Sequence, residues 1–341
     1  MLVDTIFSIV HWSLNTIGFV LNSLLIYLVL YKSPKSIKNY SLLILNFALT
    51  DLASSLCDLF IQNRTVSNGI FIALISNGYC TKLGYQACEI GYTLSLHFYA
   101  HWLWSLVLSF HYRHYILFNS PPSLRKMTTI FLIACFPTLI QTYFLCFSYD
   151  PPDQIRATLK EIYPDEDFSH KTVTGANDMI KWPNIYVVLH MTLPITPVYV
   201  IILILRKRII DFLESHNEAL SKQKKSMHHQ LLRALAYQAM IPSFYLIAVI
   251  AFSLGMFKIV VHPLVEYTIH VSFLFVPVLS PISSLIFVRP YRAAIQKLLN
   301  QFGFKFALQH RRNAQWTSIS AGERQYFKCN DRETSKSDST T

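Results

Sequence analysis

Residues Ala87 to Tyr115 read ACEIGYTLSLHFYAHWLWSLVLSFHYRHY. Cys88 opens the stretch, and His111, Tyr112, Arg113 and His114 close it. The roughly 22 residues between Cys88 and His111 contain no Lys, Arg or Asp, a length that crosses a bilayer as a helix. Glu89, at the very start, is their one acid.

Outward from this stretch the chain repeats the pattern. Apolar runs at about 7–30, 40–61, 127–147, 185–205, 234–257 and 267–288 join 89–111 to make seven candidate spans. Of the 341 residues 52% are hydrophobic and 14% charged, whereas a soluble domain is about 25% charged. Only helices or closed barrels satisfy their backbone in lipid. The runs are helix-length and Gly numbers only 9, so the expected fold class is an all-α membrane protein, a seven-transmembrane-helix bundle over residues 1–300.

The net charge of +11 is a topology signal rather than a nucleic-acid signal. The 30 Lys and Arg concentrate after spans one, three and five and in the tail. The opposite loops hold Arg64, Lys82, Arg156, Lys160, Lys171, Lys181 and Lys258. Positive charge marks the cytosolic side, so the N-terminus is expected outside and the C-terminus in the cytosol, next to anionic membrane lipid. Ile295, Leu298, Leu299 and Phe302 recur at helical spacing and predict a short amphipathic eighth helix at about 290–302. Residues 303–341 read as a polar cytosolic tail with Ser and Thr open to phosphorylation.

Other classes find no support. The six Cys form no CxxC pair, and no GxSxG, HExxH or P-loop occurs, so no metal, cofactor or enzyme activity is expected. His97 and His101 lie four apart, and they are assigned to hydrogen bonds between helices rather than to a metal. Span seven has no Lys for a Schiff base. No half of the chain repeats the other, which disfavours a transporter.

Local motifs carry a family resemblance. Leu45-Asn46-Phe47-Ala48-Leu49-Thr50-Asp51-Leu52 is similar to the second-helix motif of rhodopsin-like G-protein-coupled receptors, and Ser280-Pro281 stands where their seventh helix has Asn-Pro. Cys88 precedes Arg113 by the interval between their outer cysteine and their G-protein-facing arginine. The departures narrow the likeness. Tyr112, not an acid, precedes Arg113; Ser284 replaces a Tyr; the long acidic loop 148–184 has no Cys. With Lys38-Asn39-Tyr40-Ser41, Gln62-Asn63-Arg64, Gly78-Tyr79-Cys80-Thr81-Lys82, Ser109-Phe110-His111-Tyr112-Arg113, Gln238-Ala239-Met240-Ile241-Pro242 and Pro290-Tyr291-Arg292, the chain most resembles the nematode serpentine chemoreceptors of the delta class, Srd, over about residues 5–300.

The resemblance implies a chemosensory receptor in the plasma membrane of sensory neuron cilia, serving olfaction. It would bind a small odorant or pheromone and signal through a heterotrimeric G protein. Tyr92, Ser95, Leu96 and Tyr99 form one helix stripe that mixes apolar wall and hydroxyls; with Tyr245 and Phe273 they are the expected ligand pocket, although such a stripe also suits plain helix packing. Arg113 and Tyr112 are the expected coupling residues. Asp51 is a candidate ion or activation switch, or else a hydrogen-bonded core acid. Asp58, nearer the outside, reads as a wet helix end, or else as a contact for a cationic ligand. Cys88 is free to pair with Cys80 or Cys146. Asn63-Arg64-Thr65 is a glycosylation sequon. Pro194, Pro197, Pro242, Pro277 and Pro281 mark kinks in spans five to seven. The competing reading is a ligand-gated seven-span cation channel whose acidic loop gathers cations.

Overall fold

The computed structural model describes residues 2–34, 37–215, 233–234 and 236–301. It forms two compact units, Met1–Arg292 and Ala293–Thr341. The helices are α1 Leu2–Lys32, α2 Lys38–Ile61, α3 Tyr85–Phe118, α4 Leu124–Leu145, α5 Pro152–Ile162, α6 Trp182–Thr192, α7 Ile195–Ser215, α8 Pro242–Met256, α9 Pro263–Phe287 and α10 Arg289–Gln301. Six stretches among the described residues are long and apolar enough to span a membrane. The seventh, α3, is 34 residues long. It packs on α2, α4 and α7, while α1 packs on α2 and α9, and α8 on α9, closing the ring.

Prolines set the interruptions. Span five is not one helix: it stops at Thr192 and restarts at Ile195, around Leu193-Pro194. Span six turns at Ile241, just before Pro242. In α9, by contrast, Pro277 and Pro281 sit inside a continuous helix. Pro281 has no N–H to give the carbonyl four residues back. That carbonyl, Pro277 O, accepts instead from Asn22 Nδ2 at 2.8 Å. A proline pair thereby becomes a contact between α1 and α9.

The bundle carries a feature that the helical reading lacks. Strands β1 Asn63–Asn68, β2 Phe71–Ser76 and β3 Thr172–Ala176 form an antiparallel sheet in the order β1-β2-β3. β1 and β2 are a hairpin whose two-residue turn starts with Gly69 at φ +63°, a conformation glycine adopts without steric cost. β3 comes from the long acidic loop. The strand period of two divides the sheet's faces. Val66, Phe71, Ala73, Ile75 and Val173 bury against Ile155 and Leu159 of α5 and Phe168; Ile72 and Leu74 face the bundle.

Several bonds moor the sheet segment to the helices, among them Ser67 Oγ to Phe252 O of α8 at 3.1 Å, and two of them stand out. Arg64, 3% exposed, donates from Nε to Glu266 of α9 at 2.6 Å and from Nη1 to Glu166 at 2.8 Å. Tyr163 also donates to Glu266, and Lys171 to Glu166 at 2.7 Å. At the second point, the Gly78 N–H donates to Ile61 O at 2.9 Å, tucking the segment after β2 under the end of α2. A Cβ on Gly78 would strike the Phe60 carbonyl backbone. Gly78→Ala is therefore expected to cost about 1–3 kcal/mol, read as a lower melting temperature of the purified protein; an unchanged melting temperature would refute the tight fit.

Two expectations need correction here. Asn63 is 1% exposed and accepts from Ser76 Oγ at 2.7 Å. A glycan on it does not fit this packing, since the sequon became a strand rather than a free helix end. Asp58 is no wet helix end. It is buried and meets His11 Nδ1 and Asn15 Nδ2 of α1, each at 2.6 Å, because α1 runs far enough to cover it. The eighth-helix pattern falls on α10 as far as Gln301; Phe302 and the tail 303–341 lie outside the described residues, as do Lys222, Lys224 and Lys225.

Candidate functional site

Beneath the sheet lies a cavity of about 850 Å³, its open mouth included. Tyr92 and Leu96 of α3 form one wall, Ala248 and Phe252 of α8 with His270 and Phe273 of α9 another, and Val188 and Met191 of α6 a third. The roof is Thr65, Ile72, Leu74, Gly175 and Ala176 from the three strands. Among the described residues no Asp, Glu, Lys or Arg lines it.

Of the six expected pocket residues, three line this cavity: Tyr92, Leu96 and Phe273. The other three do not. Tyr99 lies under the floor, its ring stacked on Phe273 with centroids 4.5 Å apart. Tyr245 donates its hydroxyl to Tyr99 O at 2.9 Å and stacks on Trp102. Ser95 is fully buried. A helix face turns by 100° per residue, so a four-residue stripe cannot all reach one chamber once neighbouring side chains fill the floor. Tyr99, Tyr245 and Phe273 thus make an aromatic stack that separates the cavity from the polar core below.

That core holds Asp51, 1% exposed, with Ser280 and Trp102 against its carboxyl. Beside it Ser55 Oγ and Tyr99 Oη are buried without hydrogen-bond partners among the described residues. Buried polar atoms in such a cluster are ordinarily satisfied by ordered water or an ion.

At the far end of α3, Arg113 is 3% exposed although it carries a charge. Nη1 donates to Gln238 Oε1 at 2.6 Å and Nη2 to the Tyr40 hydroxyl at 2.5 Å. Its guanidinium lies 5.3 Å from the Tyr40 ring centroid and 5.8 Å from that of Phe110. Neutral acceptors and π faces therefore stand where an acid would pair with it. Tyr112 packs with Leu43 and Met127 instead, and its ring stacks on Tyr40. Neither Gln238 nor Tyr40 was singled out as a site residue from sequence, yet both lie in motifs that carried the resemblance.

A disulfide joins Cys80 to Cys88, fixing the start of α3; Cys146 is exposed and free. His97 and His101 contact neighbouring helices. His97 Nδ1 meets Thr142 Oγ1 at 3.2 Å, and His101 Nε2 meets Asn46 Oδ1 at 3.1 Å.

Seven spans, with a roofed chamber at one end of the bundle and a buried arginine at the other, define a multi-span membrane protein of the seven-transmembrane receptor class. Its fold is similar to the crystal structure of squid rhodopsin, with a TM-score of 0.55 over 92% of this chain and 91% of that one at 13% identity. A family model described as serpentine type 7TM GPCR chemoreceptor Srd matches residues 7–297. Two Caenorhabditis elegans proteins are similar over most of their length. Serpentine receptor class delta-19 is 38% identical over 299 residues, 86% of this chain and 88% of its own. Serpentine receptor class delta-18 is 40% identical over 301 residues, with the same shares. The chain belongs to the Srd family of serpentine seven-transmembrane chemoreceptors, proteins that are receptors rather than enzymes.

Proposed function

We propose that this chain is a chemosensory receptor of the plasma membrane, N-terminus outside and C-terminus cytosolic. It binds a small external molecule in the roofed cavity and activates a heterotrimeric G protein. The observation that carries the reading is the uncharged chamber joined through α3 to Arg113 at the opposite end. A ligand shifts a two-state equilibrium only by binding one state better. Here the ligand touches Tyr92, Leu96 and Phe273, and Phe273 rests on Tyr99. A change at Phe273 therefore moves the aromatic floor and the helices α3, α8 and α9 that meet there. Separation of the segment bearing Gln238 from α3 frees Arg113 to dock the G protein, with Tyr112 beside it; the break before Pro242 is the hinge. Asp51 and its polar neighbours rearrange between the two states.

The test is agonist-driven G-protein activation in cells carrying the receptor. Arg113→Ala should abolish the response at equal surface expression. An undiminished response would remove Arg113 from the mechanism. Agonist-evoked current that persists when G proteins are blocked would instead identify an ion channel.

A further inference from the structure

The cavity wall and its exposed rim both constrain what enters. Its polar side chains are almost all engaged within the protein. Thr65 Oγ1 meets His270 Nε2 at 2.8 Å. Tyr149 donates to Glu89 O, Ser148 to Phe144 O and Thr192 to Val188 O. Asn184 donates its amide to Asp178 O and keeps Oδ1 free. Tyr92 and His270 differ: among the described residues the Tyr92 hydroxyl makes no hydrogen bond, and His270 Nδ1 is buried without a partner. A charged molecule would find no counter-ion here, and burying an unpaired charge is prohibitive. The wall suits a neutral, mainly apolar molecule with a polar group for the Tyr92 hydroxyl or His270 Nδ1.

The rim shows the way in. The roof is mostly shut: Thr65, Leu74 and Ala176 are 1%, 1% and 3% exposed, and of its five residues only Ile72 is half-exposed. The half-exposed lining residues are concentrated on two facing helices, Val188, Met191 and Thr192 on α6 and Val249 and Phe252 on α8. α6 packs on α4 and has no comparable packing on α8 among the described residues. The seam is flanked by outward apolar side chains, Ile185 and Leu189 on α6 and Ile247 and Ile250 on α8. Such faces belong in hydrocarbon.

We propose that the cavity takes a neutral, predominantly apolar ligand that arrives from the bilayer through the seam between α6 and α8, not through the sheet. This rests on the cavity being the ligand site, as read above. The bilayer then selects ligands, because only molecules that partition into lipid reach the seam.

N-phenyl-1-naphthylamine and 1-anilinonaphthalene-8-sulfonate share one aromatic skeleton, neutral in the first and anionic in the second. Full-length receptor in lipid nanodiscs is titrated with each, against empty nanodiscs and against Ala248→Trp, which fills the chamber. The amine should bind saturably to the receptor alone, and the sulfonate should not. Met191→Trp and Val249→Trp, each at a half-exposed seam position that tolerates bulk, should slow amine association. Sulfonate binding as tight as that of the amine would overturn the neutral class and leave the cavity reading intact. Association unchanged in both seam variants would overturn the lipid route. Binding of neither probe, or amine binding undiminished by Ala248→Trp, would remove the cavity itself as the ligand site.

Discussion

Replacing Arg64 by Met is expected to destabilise the protein by about 3–5 kcal/mol, the usual cost of stranding the partner of a buried ion pair, and to lower its melting temperature by roughly 10 °C. Arg64 is the one cation that reaches Glu266 among the described residues, and both side chains are shielded from solvent. Loss of the guanidinium leaves Glu266 with only the Tyr163 hydroxyl and loosens the sheet from α9. The double variant Arg64→Met with Glu266→Gln should recover much of the loss, since it removes the stranded charge as well. Equal instability of single and double variants would show that the cost is packing and not charge. The network also sets a pH limit. Burial alone would raise the Glu166 carboxyl, but hydrogen bonds from Lys171 and Arg64 and their charges outweigh it, and its pKa lies below the ordinary 4.5. A group whose pKa falls on folding stabilises the fold above its unfolded value. The contribution of Glu166 is thus complete above about pH 4.5 and disappears as the pH falls through its lowered folded value. Thermal melts at descending pH of the parent and Glu166→Gln should converge in acid; a constant gap would refute the linkage.

Gln238→Leu is expected to raise basal G-protein activation roughly 10- to 100-fold, which corresponds to losing a charge-assisted hydrogen bond of about 1.5–3 kcal/mol from the closed state alone. The sign follows from burial. In the closed bundle Arg113 has Gln238 and Tyr40 as its acceptors, while its Nε already lacks one. Removing an acceptor leaves a buried cation undersatisfied in that state, and opening relieves it. Gln238→Glu should do the reverse, strengthening the pair and lowering both basal and agonist-driven signal. The measurement is agonist-free nucleotide exchange on the G protein at matched surface expression. Basal activity equal to the parent in Gln238→Leu would mean that the clamp does not hold the closed state.

The neutral clamp answers a puzzle that the chain poses by itself, an inner-face arginine with Tyr112 before it in place of an acid. The acceptors come from 73 residues before and 125 residues after Arg113, separations over which no periodicity can pair residues. The sheet is a different omission. Asn68-Gly69 between Thr65-Val66 and Phe71-Ile72-Ala73-Leu74-Ile75 is a short-range hairpin signal, although the two-residue turn falls at Gly69-Ile70, since Asn68 pairs with Phe71. The same stretch begins with the sequon at Asn63, whose reading as a glycan acceptor ignores this hairpin.

By itself the sequence determined the seven spans, the charge asymmetry between the two sets of loops, the family, and Arg113 at the end of the central helix. These rest on hydropathy runs, loop charge and motifs, all of which are local along the chain. The tertiary structure alone decided which half of the Tyr92 to Tyr99 stripe faces a chamber, that strands roof it, that Asp58 is buried by α1, and that Gln238 and Tyr40 hold Arg113. The physical reason is that a helix repeats its faces every 3.6 residues but does not specify what each face meets. Rotation, the Pro194 and Pro242 breaks and the docking of a distant loop are settled only when all the helices pack at once.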